Sequence, residues 1–338
     1  MQPLQRVSQR LHEIFSQVLR EENRARYDEE LWRYYGHLAS LEGCTRQTRY
    51  VYDLCQLAGF DPQGKVILDA GCGFGALAII LGLMGAQAVH GVDISPTRLP
   101  TFQRILEDFE LSPPIEAQFA SVEQLAFPDR SFDMILSNES ISHYHDVEAF
   151  LKEAARLLKP SGWLLIADGN NGANRRLAAH TRQLWLRFEN GPAGAFNGHR
   201  VKKPYVEMRA EIIQEAFPAL EPSVVQELAR RTSRMTREQI VQAVRRYLDM
   251  GELPNSLYTA QECPVNPETG AVLERLFDPA SLARQIERFG FRARHYAYLG
   301  GAGGNPLIRL ANKLGMALTP LTIHWARSFR IVAVRQSD

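Results

Sequence analysis

The chain has 338 residues, of which 45% are apolar, with 39 basic and 38 acidic side chains. Such a chain can bury a substantial core, and its near-neutral balance argues against a protein held to DNA or RNA by a basic face. The cysteines Cys44, Cys55, Cys72 and Cys263 form no CxxC pair and join no histidine cluster, which speaks against a metal site and against a disulfide framework. The first residues hold no apolar targeting run, and the most apolar stretch, Ala76 to Met84, is too short to span a bilayer and is broken by Gly82. A cytoplasmic protein with reduced thiols and no stable membrane insertion is expected.

Residues 1–60 read as a helical segment. Leu4, Val7, Leu11, Ile14 and Val18 recur at helical spacing, Trp32, Tyr34 and Tyr35 form an aromatic cluster, and a second helix is expected from Thr45 to Leu57. Residues 61–171 alternate strand and helix. Strands are expected at Val66 to Leu68, Ala88 to Val92, Ile115 to Phe119, Phe132 to Leu136 and Trp163 to Ala167, with helices at Ala76 to Met84, Pro96 to Phe109 and Val147 to Leu158. Residues 172–276 change character to a helical insertion, with helices near Arg175 to Phe188, Val206 to Phe217, Ser223 to Arg231 and Thr236 to Met250. In residues 277–338 the sheet rhythm returns. A helix from Pro279 to Phe289 leads to a strand, Phe291 to Leu299; the glycine stretch 300–304 and an apolar helix, Leu307 to Met316, precede a last strand, Ser328 to Val334. The fold class is α/β, a doubly wound, mostly parallel sheet of seven strands.

One motif carries the chemistry. The run Val66-Ile67-Leu68-Asp69-Ala70-Gly71-Cys72-Gly73-Phe74-Gly75 takes a strand directly into a glycine turn that opens a helix. Glycines serve where the chain turns sharply and where a ligand approaches the backbone too closely for a Cβ. The spacing is GxGxG rather than GxGxxG, and Asp69 stands two residues before the first glycine. A carboxylate there suits a cofactor with a cationic amino-acid group better than a pyrophosphate. Asp93 ends the second strand, 24 residues after Asp69. A carboxylate at that place can accept both ribose hydroxyls of an adenosine, or merely cap the next helix.

The stretches LDAGCGFG, GVDIS, Ser121 to Asp129 followed by SFD, and LLKPSGWLLIAD resemble class I S-adenosylmethionine-dependent methyltransferases, especially the small-molecule and lipid branch. They cover about Gly64 to Asp168, and Asp278 to Tyr298 resembles that family's last helix and sixth strand. The resemblance implies the Rossmann-like methyltransferase fold and S-adenosyl-L-methionine as cofactor. It sets Asp69, Gly71 and Gly73 against the methionine part, Asp93 on the ribose, Ile94 on the adenine face, Ser121 and Val122 at the adenine edge, and Asn138 beneath the sulfonium. Ser121 departs from the family's usual Asp and accepts more weakly from the adenine amino group.

The loop Asn138-Glu139-Ser140-Ile141-Ser142-His143-Tyr144-His145-Asp146 follows the fourth strand, where acceptor meets cofactor in an open parallel sheet. It resembles the ES-x-x-H-x-x-D stretch of sugar O-methyltransferases and sterol C-methyltransferases. That resemblance implies His143 as general base, with Asp168 at the end of the fifth strand as its partner. Plainer roles stand beside these: Asp146 as a helix cap, Asp168 as an acceptor for loop amides, Glu139 as a solvated or hydroxyl-binding carboxylate. The first functional reading is O-methylation of a bulky small molecule such as a glycoside, polyketide or lipid-like acceptor, with the insertion as a lid forming the acceptor pocket. The second is C-methylation of an isoprenoid or sterol-like alkene, with Glu139 stabilising the carbocation. A nicotinamide-dependent oxidoreductase and a non-catalytic cofactor-binding subunit are more remote. Nucleic-acid methylation lacks the Asn-Pro-Pro-aromatic segment that grips a flipped base.

Overall fold

In the first helix, α1 (Gln2–Val18), Val7, Leu11, Ile14, Phe15 and Val18 share one stripe, and all are buried. A computed structural model describes residues 2–112, 114–196, 198–301 and 305–337, so residues 302–304 of the glycine stretch lie outside the described residues. After α1 come α2 (Glu30–Tyr35) and α3 (Leu41–Ala58). The third helix starts four residues before the position expected from periodicity, because the Ser40 hydroxyl accepts from the Gly43 amide at 3.1 Å and caps it. It stops at Gly59, whose φ of +66° only glycine adopts readily.

The alternating region follows as β1 (Val66–Ala70), α4 (Ala76–Leu83), β2 (Ala88–Asp93), α5 (Arg98–Asp108), β3 (Ile115–Phe119), β4 (Phe132–Asn138), α6 (Val147–Leu157) and β5 (Leu158–Asp168). β5 begins earlier than the apolar run suggests. A bulge opposite Phe132 and Met134 lets Leu158 and Trp163 both pair with β4. Next come α7 (Arg175–Asn190), β6 (Gly194–Phe196), β7 (His199–Val201), α8 (Tyr205–Ala216), α9 (Pro222–Arg230) and α10 (Arg237–Met250). The chain then adds α11 (Pro279–Glu287), β8 (Phe291–Tyr298), α12 (Pro306–Ala317), α13 (Thr319–Thr322) and β9 (Ser328–Arg335).

Seven strands form one sheet in the order β3-β2-β1-β4-β5-β9-β8. β1 to β5 run parallel, and β9 is antiparallel to both its neighbours. The seven-stranded, mostly parallel α/β sheet expected from the sequence is the architecture of the protein, in the strand order of the Rossmann-like methyltransferase fold. Helix α4 is apolar all round, and its residues Ala76 to Leu81 are buried between the sheet and helices α1 and α3. Among the described residues no helix is long and apolar enough to cross a membrane.

Two compact units share the chain. The first holds the described residues up to Ile141, Asp146–Gly169 and those from Asp278 on, which include the whole large sheet; the second holds Ser142–His145 and Asn170–Phe277. The second unit has its own core, built from Ile212, Ile213, Leu228, Ile240 and Val244 on α8, α9 and α10. It also buries an ion pair. The Arg209 guanidinium meets the Glu189 carboxylate, which accepts from Ser233 as well, while Arg209 Nε donates to the Ala229 carbonyl at 2.8 Å. The three-residue hairpin of β6 and β7 was not anticipated, because such short strands leave no alternation to read.

Candidate functional site

Strand β1 delivers Asp69 to the carboxyl edge of the sheet, and three glycines with positive φ follow: Gly71 at +75°, Gly73 at +56° and Gly75 at +79°. The three differ in purpose. A Cβ on Gly75 would stand 2.1 Å from the Phe102 ring, so that glycine serves the packing of α5. A Cβ on Gly73 would meet nothing within 4 Å, so this backbone borders open space that a ligand can enter. The amides of Gly71 and Cys72 donate to the Val92 carbonyl at 2.8 and 3.0 Å, tying the turn to the end of β2. Asp93 completes the tie. One carboxylate oxygen accepts from Gly73 N at 2.8 Å and the other from Ser95 N at 2.7 Å.

Asp69 lies behind this turn, 2% exposed, and its Oδ2 has no hydrogen-bond partner among the described residues. Burial, then the charge of Asp93, pushes its pKa up to about 7, against a smaller opposing pull from the Ala78 amide. A buried carboxylate oxygen without a donor is costly. An ammonium group on a ligand in the open space before Gly73 is the donor that would satisfy it.

Ile94 follows Asp93 and is 57% exposed, an apolar side chain at a strand end available to an aromatic face. The turn holding Ser121 and Val122 joins β2 through Ala120 N donating to the Asp93 carbonyl at 3.3 Å; Val122 is buried, and the exposed Ser121 accepts from Glu123 N at 3.3 Å. On the other flank Tyr35 meets Phe74 edge-on, with ring centroids 5.9 Å apart. Its hydroxyl pKa is raised by burial and by the charges of Asp69, Cys72 and Asp93, so this tyrosine belongs both to the aromatic core and to the rim of the turn.

Further along the edge, Ser140 Oγ donates to the Ala70 carbonyl at 2.9 Å and joins the β4 loop to β1. Glu139 stands in the left-handed region at φ +50°, a strained conformation for a residue with a Cβ. Its amide donates to the Ala167 carbonyl at 2.7 Å, and its Oε2 accepts from Gly169 N at 2.9 Å. Asp168, fully buried, ends β5. His143 is exposed and belongs to the second unit, where its Nδ1 lies 3.2 Å from the Val272 carbonyl. Asp146 caps α6, its Oδ1 accepting from Glu148 N and Ala149 N.

The sequence reading passed over three residues here. The Tyr50 hydroxyl, on α3, donates to Asn138 Oδ1 at 2.6 Å and accepts from Arg330 Nη2 at 3.1 Å. Arg330 is 2% exposed, its guanidinium stands 4.0 Å from the centroid of the Tyr298 ring, and its Nε has no hydrogen-bond partner among the described residues. Tyr50, Tyr298 and Arg330 line a cavity of about 530 Å³ together with Asp53, Arg309 and Lys313. A lone arginine in the apolar run of the last strand was the one signal available. Tyr50 carried none, because its partner lies 88 residues away.

Comparisons with known proteins cover this turn. The family described as "Methyltransferase domain" matches residues 68–166. A 2-methyl-6-phytyl-1,4-hydroquinone methyltransferase of Synechocystis is 38% identical over 133 residues, which is 38% of this chain and 40% of that protein. A ubiquinone biosynthesis O-methyltransferase of Rhizobium rhizogenes is 32% identical over 166 residues, 46% of this chain and 64% of that one. The chain thus spans about half the length of these relatives. Among solved structures, an S-adenosylmethionine dependent methyltransferase from Mesorhizobium loti aligns over 84% of this chain and 97% of its own, at 15% identity and a TM-score of 0.45.

Proposed function

We propose that this chain, whose residues 68–166 match a methyltransferase-domain family, is an S-adenosylmethionine-dependent enzyme that O-methylates a bulky small molecule. One observation supports the cofactor most directly. Asp69 presents a buried oxygen without a donor beside a glycine turn whose Cβ positions are open at Gly73. The methionine end of the cofactor would bring an ammonium for that oxygen, Asp93 would take the ribose, and Ile94 the adenine. Bound there, the cofactor supplies an electrophilic methyl on a sulfonium, and what remains for the protein is to align an acceptor, exclude water and remove a proton.

His143 is the base in this reading. With Nδ1 donating to the Val272 carbonyl, the neutral imidazole keeps its lone pair on Nε2, the tautomer that takes a proton from an acceptor hydroxyl. The role of His143 would be to accept the acceptor hydroxyl's proton at Nε2 as that oxygen takes up the methyl. Asp168 is the second group to test, since a buried carboxylate at a strand end is seldom idle. The segment leaving β5 after Asp168 is proposed to recognise the acceptor. The names of the relatives from Synechocystis and Rhizobium point to quinols and related prenylated aromatics as the acceptor class.

Calorimetry with S-adenosylhomocysteine tests the reading. Heat of binding from the sulfur ligand and none from NADH is expected. The reverse pattern would return the protein to the nicotinamide alternative.

A further inference from the structure

Helix α12 is built inside out. Asn312 and Gly315 are its buried positions, while Leu307, Leu310 and Leu314 face solvent, Leu307 at 74% exposure. The pattern continues past its end through Leu318 and Leu321 to Trp325, which is 73% exposed. The spacings of three and four residues put these leucines on one side of the helical path.

Polar bonds on the inner side fix this orientation. Asn312 Oδ1 accepts from Leu299 N at 2.9 Å and its Nδ2 donates to the Gly300 carbonyl at 3.0 Å. Thr319 Oγ1 accepts from Ala297 N at 3.0 Å, which anchors α13 to β8. Thr322 Oγ1 donates to the Gly315 carbonyl at 2.7 Å. Turning the leucines inward would break these bonds and leave the Asn312 amide and the Leu299 amide buried without partners, so the apolar face is held outward.

Charge selects what covers it. No Asp or Glu occurs between Glu287 and Asp338, whereas Lys313 and Arg327 stand exposed beside the leucines. Arg309, turned toward the cavity, pairs with Asp53 at 3.3 Å. A leucine and tryptophan face bordered by Lys313 and Arg327 fits the boundary of an anionic bilayer, where leucines enter the acyl region, an indole rests at the interface and lysine and arginine meet phosphates. We propose that α12, α13 and Trp325 form a docking surface for membranes containing anionic phospholipid. The helix lies on the surface and does not cross it. The same helix, through Arg309, Met316 and the exposed Lys313 at its edge, also lines the cavity that holds Tyr50 and Arg330. One helix thus separates that cavity from the lipid. The docking claim stands apart from the chemistry proposed above.

The test is flotation of the full chain with vesicles of phosphatidylcholine alone and of phosphatidylcholine with phosphatidylglycerol. The protein should float with the anionic vesicles and stay behind with the neutral ones, and raised salt should weaken the effect. The pair Leu314→Glu with Leu321→Glu changes only exposed side chains and should cut the bound fraction at least tenfold while S-adenosylhomocysteine binding and the circular dichroism spectrum hold. Lys313→Glu should weaken binding less. A blue shift of fluorescence on vesicles should largely vanish in Trp325→Phe. Wild-type protein that stays behind with anionic vesicles, or a double variant that floats as well as wild type, would overturn the proposal. So would light scattering that finds a dimer which the double variant turns into a monomer, because the face would then belong to a second copy.

Discussion

Replacing Asp69 by Asn separates what the glycine turn costs from what it is proposed to do. Burial raises the Asp69 pKa from 3.8 to about 7. Between those values the folded chain holds a proton that the unfolded chain has released, so the ligand-free protein loses stability as pH rises through this window. The penalty is complete above pH 7 and absent below pH 4. At 1.36 kcal/mol per pKa unit the shift corresponds to about 4 kcal/mol as an upper figure. The amide of Asp69→Asn cannot ionise, so at pH 8 the ligand-free variant should be more stable than wild type by up to that amount, roughly 10 °C in Tm for a unit of this size. At pH 4 the gain should vanish. Ligand binding should move the other way. Loss of a charge-assisted bond to an ammonium costs roughly 1.5–3 kcal/mol, or about 10- to 150-fold in affinity. Thermal melts from pH 4 to 8, with and without S-adenosylhomocysteine, measure both quantities. Wild-type affinity should climb with pH up to about 7 and then flatten as the carboxylate becomes fully ionised, while the variant shows no such step. An Asn variant less stable than wild type at pH 8, or one that binds the ligand equally well, would refute the argument.

The two glycines should part company. Gly73→Ala should fold, at a cost of about 1–2 kcal/mol for its φ, yet lose cofactor binding, whereas Gly75→Ala should unfold at lower denaturant because its methyl enters the Phe102 ring. His143→Asn should lower kcat by about 10²-fold or more with cofactor affinity unchanged, and the pH–rate profile should lose its lower limb. If Glu139→Gln has the larger effect and that limb survives, the reaction is C-methylation through a cation rather than O-methylation. Glu189→Gln should destabilise the second unit by about 3–5 kcal/mol in a urea melt, because Arg209 is left buried without its counter-charge; replacing both by apolar residues of similar volume should recover most of it.

The sheet was legible because its signals are local. Each of β1, β2 and β5 carries a short apolar run followed by an acid, Asp69, Asp93 or Asp168, and a helix pattern follows each of the first two within a few residues. The turn between β1 and α4 was legible for the same reason, but the division of labour among its glycines was not. That Gly75 is there for Phe102 and Gly73 for open space depends on a ring 27 residues on in the chain. Long-range pairs stayed hidden throughout. Tyr50 reaches Asn138 across 88 residues, and Arg209 meets Glu189 on a different helix, with nothing in either neighbourhood to single it out. The α12 pattern was read as an apolar helix without a direction. Asn312 and Thr319 decide which side turns inward, and their partners are backbone groups, which a residue pattern does not display.

The place of β9 bears on how the chain reaches this fold during synthesis. β9 lies between β5 and β8, and its first residue, Ser328, follows Asp168 by 160 residues. At the ribosome's pace of roughly 5–20 residues per second, that delay lasts about 8 to 32 s. Through it β5, whose inner residues Leu164 to Ala167 are wholly apolar, has β4 on one side and bare amides and carbonyls on the other. An open strand of that composition is a template for misassembly between nascent chains. The second unit emerges during the same interval, so its folding and the capping of β5 compete in time. Shortening residues 170–277 would therefore change the yield of native protein.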